Sequence, residues 1–314
     1  MLEELVGHHS IKQTLVQMLK RQNMPQAFLF HGPEGVGKGA FAEAFAQRLV
    51  AGSTRHLRKN SPDIRRYEVE EPASVHTIAS MKELKEEVGI PPLEGDRKVF
   101  IIKEAHKMLP ASSNALLKTL EEPMGSSVLI LIAPSVSELL PTVVSRCCKI
   151  AFPLLQEEEV QEILMKRDGL SLEEVQKFSP YCFGSLQQLS KDKALWQETL
   201  LELFILFPTL HREEVKQKLQ LLEEAYDKGG IETLDKVYEL LLHFIKDIAI
   251  LKQVLDPLYL SFKKYEKLLG VSAQKIARSS EEIQETCFAM QESHAYHIKL
   301  KTALETLLLS FYQK

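Results

Sequence analysis

Residues 31–40 read HGPEGVGKGA, and this stretch decides the fold. Gly32, four unconstrained positions that include Gly35, then Gly37 and Lys38 fill all but the last place of a phosphate-binding loop. In such a loop backbone N–H groups at a helix N-terminus cradle phosphates, and the lysine reaches the outer ones. A closing Ser or Thr hydroxyl binds Mg²⁺. Here that position is Gly39. The bare pattern is weakly specific, and its flanks give it meaning. AFLFHG (27–32) is a short apolar run ending in glycine, which predicts a buried strand. GAFAEAFAQRLVA (39–51) carries Phe41, Ala44, Phe45, Arg48 and Leu49 at helical spacing, which predicts the helix that follows.

Working outward, KVFIIKEA (98–105) and SVLILIAP (127–134) are continuous apolar runs of strand length, and NALLKTLEE (114–122) between them has a helical pattern. Strands covered on both faces read this way, so residues 1–153 are expected to form an α/β domain with a parallel sheet. The run VFIIKEAH ends in Lys103 and Glu104, where nucleotide-binding folds place a metal-holding Asp. An ammonium there repels Mg²⁺; Lys103 either meets a phosphate directly or points into solvent. Two Mg²⁺ ligands are thus missing at independent positions, in chemistry that relies on the ion to neutralise phosphate charge.

Residues 154–192 change to short helical segments, EEEVQEILMKR, DGLSLEEVQKF with Ser171 as a plausible N-cap, and GSLQQLSKD. From 193 to 314 long amphipathic stretches such as ETLDKVYELLLHFIKDIAILKQVL predict an all-α domain. The 314 residues suffice for two or three domains. No apolar run approaches the roughly 18–20 residues that span a bilayer, and MLEELVGHHS lacks the features of a secretory signal, which points to the cytosol. Cys147, Cys148, Cys182 and Cys287 show no CxxC spacing, so reduced, structural thiols are expected. A net charge of −4 argues against a protein coated in nucleic acid, while leaving room for a small local DNA contact. His8, His9, His294 and His297 read as ordinary surface residues, and GSTRHLRKN (52–60) as a basic loop.

LVGHHSIKQTL (5–15), QAFLFHGPEGVGKG (26–39), NALLKTLEEP (114–123) and LLPTVVSRC (139–147) together resemble bacterial DNA polymerase III clamp-loader subunits of the AAA+ superfamily. The resemblance covers residues 1 to about 190 by motif and is nearest to the delta-prime type. It implies an AAA+ domain (1–153), a three-helix lid (154–192) and a helical, oligomerising collar (193–314). It also implies a hetero-oligomeric ring with gamma/tau and delta subunits, a sliding clamp and primed DNA as partners, and a cytoplasmic setting.

Departures from the family pattern set the expected role. Gly39 replaces the loop hydroxyl and Lys103 the strand-end Asp. The polar sensor position falls at Ala133 or Pro134, and Gln187 stands where active subunits carry an arginine. The resemblance therefore implies a degenerate nucleotide site, Gly32, Gly35, Gly37, Lys38, Gly39, Lys103 and Glu104, without ATP turnover by the chain alone; weak nucleotide binding stays open. Arg146 of the SRC tripeptide is intact and by resemblance enters a neighbour's ATP site, where a guanidinium supplied in trans accelerates phosphoryl transfer by roughly 10³–10⁵ in NTPases. The alternative for a lone arginine is a surface ion pair. Ser112 and Ser113 are candidates for a DNA phosphate contact, or else N-caps. Relatives often carry a four-cysteine zinc module after the loop helix; the corresponding interval here has no cysteine and only His56, so no zinc is expected. The competing readings are an active gamma/tau-type ATPase and a scaffold-only adaptor that offers no trans arginine.

Overall fold

The computed structural model describes residues 2–21, 24–52, 61–69, 75–121, 125–186, 191–207, 209–229, 231–253, 260–276, 278–279, 281–283, 285, 288 and 300–312. His56 and the rest of the 53–60 loop, Gln187, Cys287, His294 and His297 lie outside these residues. The chain divides into two compact units, residues 1–175 with 184–188, and residues 176–183 with 189–314.

The first unit is built on strands β1 (Ala27–His31), β2 (Ile64–Tyr67), β3 (Lys98–Ile102), β4 (Ser127–Ala133) and β5 (Cys148–Ala151). They run parallel in the order β2-β3-β4-β1-β5. Side chains alternate between the faces of a strand, and the sheet sorts accordingly. Phe28, Phe30, Val99, Ile101, Val128 and Ile130 share one core with helices α1 (His9–Leu19) and α2 (Lys38–Ala51). Leu29, Phe100, Ile102, Leu129 and Leu131 share the other with α3 (Ile78–Val88) and α4 (Pro110–Glu121). Because both faces are covered, the central strands show unbroken apolar runs in the sequence.

The expected central strands, and the helices around Phe41–Leu49 and NALLKTLEE, are all present, with α4 starting earlier, at Pro110. The sequence reading missed β2 (IRRY) and β5 (CKIA). Both are edge strands, and each buries a single residue, Ile64 or Ile150, while the remaining positions are exposed or only partly buried. Arg66 of β2 donates from Nε and Nη2 to the Glu43 carboxylate, 2.7 Å each, and Arg65 pairs with Glu87 at 2.9 Å. A short helix α5 (Pro141–Val144) precedes β5, and α6 (Glu157–Asp168) and α7 (Leu172–Phe178) follow it. Ser171 caps α7: its Oγ accepts from Glu174 N while the Glu174 carboxylate accepts from Ser171 N, a capping box. Residues 184–186 are not helical.

The second unit is all-α, as its texture predicts. Helices α8 (Lys191–Leu206), α9 (Arg212–Gly229), α10 (Ile231–Lys252), α11 (Glu266–Lys275) and α12 (Leu300–Tyr312) pack around Leu200, Phe204, Leu241, Phe244, Leu307 and Phe311. Asp247, fully buried on α10, accepts from Ser261 N (2.8 Å) and Phe262 N (2.9 Å), fastening the segment that leads to α11.

Candidate functional site: a self-bonded phosphate loop and a folded-back arginine

The loop after β1 turns on glycines. Gly37 precedes α2 at φ 101°, in the left-handed region that favours glycine. Gly32 has φ 146°, and a Cβ there would lie 2.0 Å from Phe152 O. Its N–H donates to Pro134 O at 3.1 Å, so one of the two candidate sensor positions contributes a backbone carbonyl to the loop. Gly39 differs from the others. It lies in the first turn of α2, and a Cβ built there meets nothing within 4 Å. The backbone does not require glycine at the position where the hydroxyl is missing.

Lys38 is buried, and its Nζ donates to two carbonyls of its own loop, Gly32 O and Pro33 O, at 2.6 Å each. Burial depresses its pKa below the ordinary lysine value, with Glu34 acting in the opposite sense. The other loop carbonyls are engaged as well. Ser185 Oγ donates to Glu34 O (2.7 Å), Leu186 N to Gly35 O (2.9 Å), His8 Nε2 to Val36 O (2.8 Å) and Phe41 N to Gly37 O (3.0 Å). From residue 32 to 37 every carbonyl accepts a hydrogen bond from within the chain.

His8 corrects an expectation. It is buried rather than superficial, wedged edge-on against Phe41 and Phe152, with its own N–H on the Glu159 carboxylate at 2.8 Å. It takes a left-handed conformation (φ 49°) directly after Gly7, which turns the ring inward beneath the loop. The doublet His8-His9 gave no sequence signal of this, because the partner Val36 is brought close only by folding.

At the end of β3, Lys103 is partly exposed. Its Nζ pairs with Glu68, just beyond β2, at 2.7 Å. Glu104 sits at φ 48° and pairs with Lys107 at 2.5 Å. His76 Nε2 donates to Lys103 O at 2.7 Å, which pins this strand end; burial lowers its pKa and keeps the ring neutral. Ser112 and Ser113 are both buried inside the first turns of α4 and are not its caps. Ser112 Oγ donates to His76 O (3.0 Å) and Ser113 N to Leu109 O (2.9 Å).

Arg146 follows α5 and is partly exposed. Its Nε donates to Glu121 Oε1 at 2.7 Å, and Nη2 donates to the same oxygen. Nη1 donates to Thr142 O (2.8 Å) and to Ser145 Oγ (3.2 Å). Among the described residues, no cluster of three or more His, Cys, Asp or Glu side chains is placed to hold a metal.

Residues 7–156, which carry the sheet, the loop and Arg146, match the family described as DNA polymerase III, delta subunit. Over these residues the chain is similar to that family. Similar proteins include a DNA polymerase III subunit delta′ of Pseudomonas aeruginosa, 36% identical over 154 residues, which are 44% of this chain and 46% of the relative. A subunit delta′ of Bacillus subtilis is 29% identical over 170 residues, 50% of this chain and 51% of the relative. The tau subunit of the same organism is 26% identical over 294 residues, 80% of this chain and 50% of the relative. The chain thus spans about half the length of the curated relatives it matches. Among solved structures, a gamma subunit-related DNA polymerase III protein of Thermotoga maritima aligns with 96% of this chain and 98% of its own, at TM-score 0.46 and 14% identity. The family model and the delta′ relatives agree with the delta-prime resemblance of the sequence motifs. Among its described residues no helix is long and apolar enough to cross a membrane.

Proposed function

We propose that this protein is a delta-prime-like subunit of a DNA polymerase III clamp loader, working in the cytoplasm beside gamma/tau and delta subunits. It helps close the loader around primed DNA while the sliding clamp is opened and released. Its helical second unit serves as the oligomerising collar. Its own nucleotide site does not turn over ATP; instead it lends Arg146 to the ATP site of a neighbour.

The observation that carries this reading is the contrast between one retained residue and several altered ones. Arg146 stands intact in LLPTVVSRC, while Gly39, Lys103, Ala133 or Pro134, and Gln187 replace groups that handle ATP in active relatives. Gly39 has open space around it, so a hydroxyl there is compatible with the fold yet absent. Lys103 is neutralised by Glu68, and Lys38 is bonded to its own loop. Residues arranged in this way do not suit a Mg²⁺-bound nucleotide, because neither expected oxygen ligand is present.

The test is the DNA-stimulated ATPase rate of the reconstituted loader with wild-type chain and with Arg146→Ala, the isolated chain being assayed in parallel. A silent isolated chain, together with a mutant complex that assembles but loses at least ten-fold in rate, is the expected result. Turnover by the isolated chain that disappears on changing Lys38 would make it a motor. An undiminished Arg146→Ala complex would make it a scaffold.

A further inference from the structure

Arg146 is folded back rather than extended. A guanidinium has five N–H groups, and contacts to Glu121, Thr142 O and Ser145 Oγ engage four of them. A two-pronged grip on a phosphate therefore requires at least one existing contact to be released. Glu121 is itself out of place by helix electrostatics. It is the last described residue of α4, toward the helix end where the macrodipole disfavours negative charge. Its carboxylate is matched there by the guanidinium of Arg146, which is 25 residues further along the chain. Arg146 also donates to Thr142 O, a carbonyl near the end of α5 that Ser145 Oγ shares at 3.1 Å.

We infer that Glu121 holds Arg146 in a stowed position, so that the arginine reaches a neighbour's nucleotide only when phosphate oxygens take the place of the Glu121 carboxylate. This rests on the trans-arginine reading above and adds a restraint to it. Both side chains are partly exposed, 31% for Arg146 and 47% for Glu121. Exchange of one anion for another around such a guanidinium is therefore nearly balanced, and the restraint amounts to a few-fold change in rate rather than a lock. Glu121 acts as a positioning residue, through Arg146 alone. In a resting complex it keeps the arginine out of the neighbouring site; when the neighbour tightens around DNA, the phosphate outcompetes it.

The test uses the reconstituted loader with wild-type chain, Glu121→Gln, Arg146→Ala and the double variant, each assayed for ATP turnover without DNA and at saturating primed DNA. Glu121→Gln keeps an acceptor and removes the charge. It should raise the DNA-free rate about two- to five-fold, the range an exposed ion pair supports, and leave the DNA-saturated rate within about two-fold. In the Arg146→Ala background the same change should do nothing, a result that a merely structural role for Glu121 does not give. Glu121→Asp, which keeps the charge, should restore most of the restraint. An unchanged or lowered DNA-free rate in Glu121→Gln, with Arg146→Ala still impaired, overturns the stowing role and leaves the trans arginine standing. So does a rise that persists without Arg146. Full activity of Arg146→Ala removes both together.

Discussion

Lys38 offers the sharpest test of how the phosphate loop is used. In a working loop this lysine serves the nucleotide, and its loss abolishes binding with little effect on the fold. Here it is buried and donates two short, charge-assisted hydrogen bonds to Gly32 O and Pro33 O. Replacing it with methionine keeps most of the apolar stem and strips both carbonyls of their donor. Hydrogen bonds to a charged group contribute about 1.5–3 kcal/mol each, but the wild type also bears the cost of burying an ammonium, which the depressed pKa reflects. The two effects oppose one another and leave a net loss of about 2 kcal/mol. For a unit of this size, about 2–4 °C per kcal/mol gives a fall in melting temperature of about 4–8 °C. The assay is thermal denaturation followed by far-ultraviolet circular dichroism in nucleotide-free buffer, so that a lost ligand plays no part. A melting temperature unchanged within about 1 °C would refute the reasoning and return Lys38 to an ordinary phosphate-binding role.

Four further outcomes are expected. Gly39→Ser should raise stability by about 0.5 kcal/mol, because the new side chain meets nothing and glycine is the poorer helix former. The same variant should still show no ATP turnover by the isolated chain, since Lys103 keeps the second ligand position; turnover would count against the degenerate-site reading. Asp63 is fully buried and accepts from the N–H groups of Leu93, Glu94 and Gly95 at 2.6–2.8 Å. Asp63→Ala should cost about 1.5–3 kcal/mol, the range for hydrogen bonds to a charged group, because the freed N–H groups of exposed Leu93 and Glu94 can bond water, and a urea titration showing a loss below about 1 kcal/mol would contradict this. Burial raises the Asp247 carboxyl above its ordinary 3.8, with the bonds from Ser261 and Phe262 acting in the opposite sense. The folded chain then holds that proton more tightly than the unfolded chain. The stabilisation linked to it is fully present below pH 3.8 and is lost as pH rises through the raised folded value. Urea midpoints of wild type and Asp247→Asn across this range should therefore differ by an amount that changes with pH; a constant difference would refute the assignment.

Read by itself, the sequence determined the class of fold. AFLFH, KVFII and SVLILIA are apolar at every position or nearly so, which only a strand covered on both faces tolerates, and the glycines and lysine of HGPEGVGKG mark the turn from β1 into α2. Apolar residues at helical spacing likewise announced the all-α second unit, and Gly39 and Lys103 stand where nucleotide-binding folds place oxygen ligands. These signals are local: strand and helix periodicity, and the backbone demands of a tight turn, are written within ten or so neighbouring residues. Tertiary structure alone decided the edge strands β2 and β5, four residues each with a single buried side chain, too short to show a pattern of their own. It alone set His8 beneath Val36 across 28 residues, Arg146 on Glu121 across 25, and Ser185 on Glu34 across 151. A single side chain carries no periodicity, so its partner is fixed only when packing brings distant segments within hydrogen-bonding distance, and the self-bonded loop and the folded-back arginine are both of that kind.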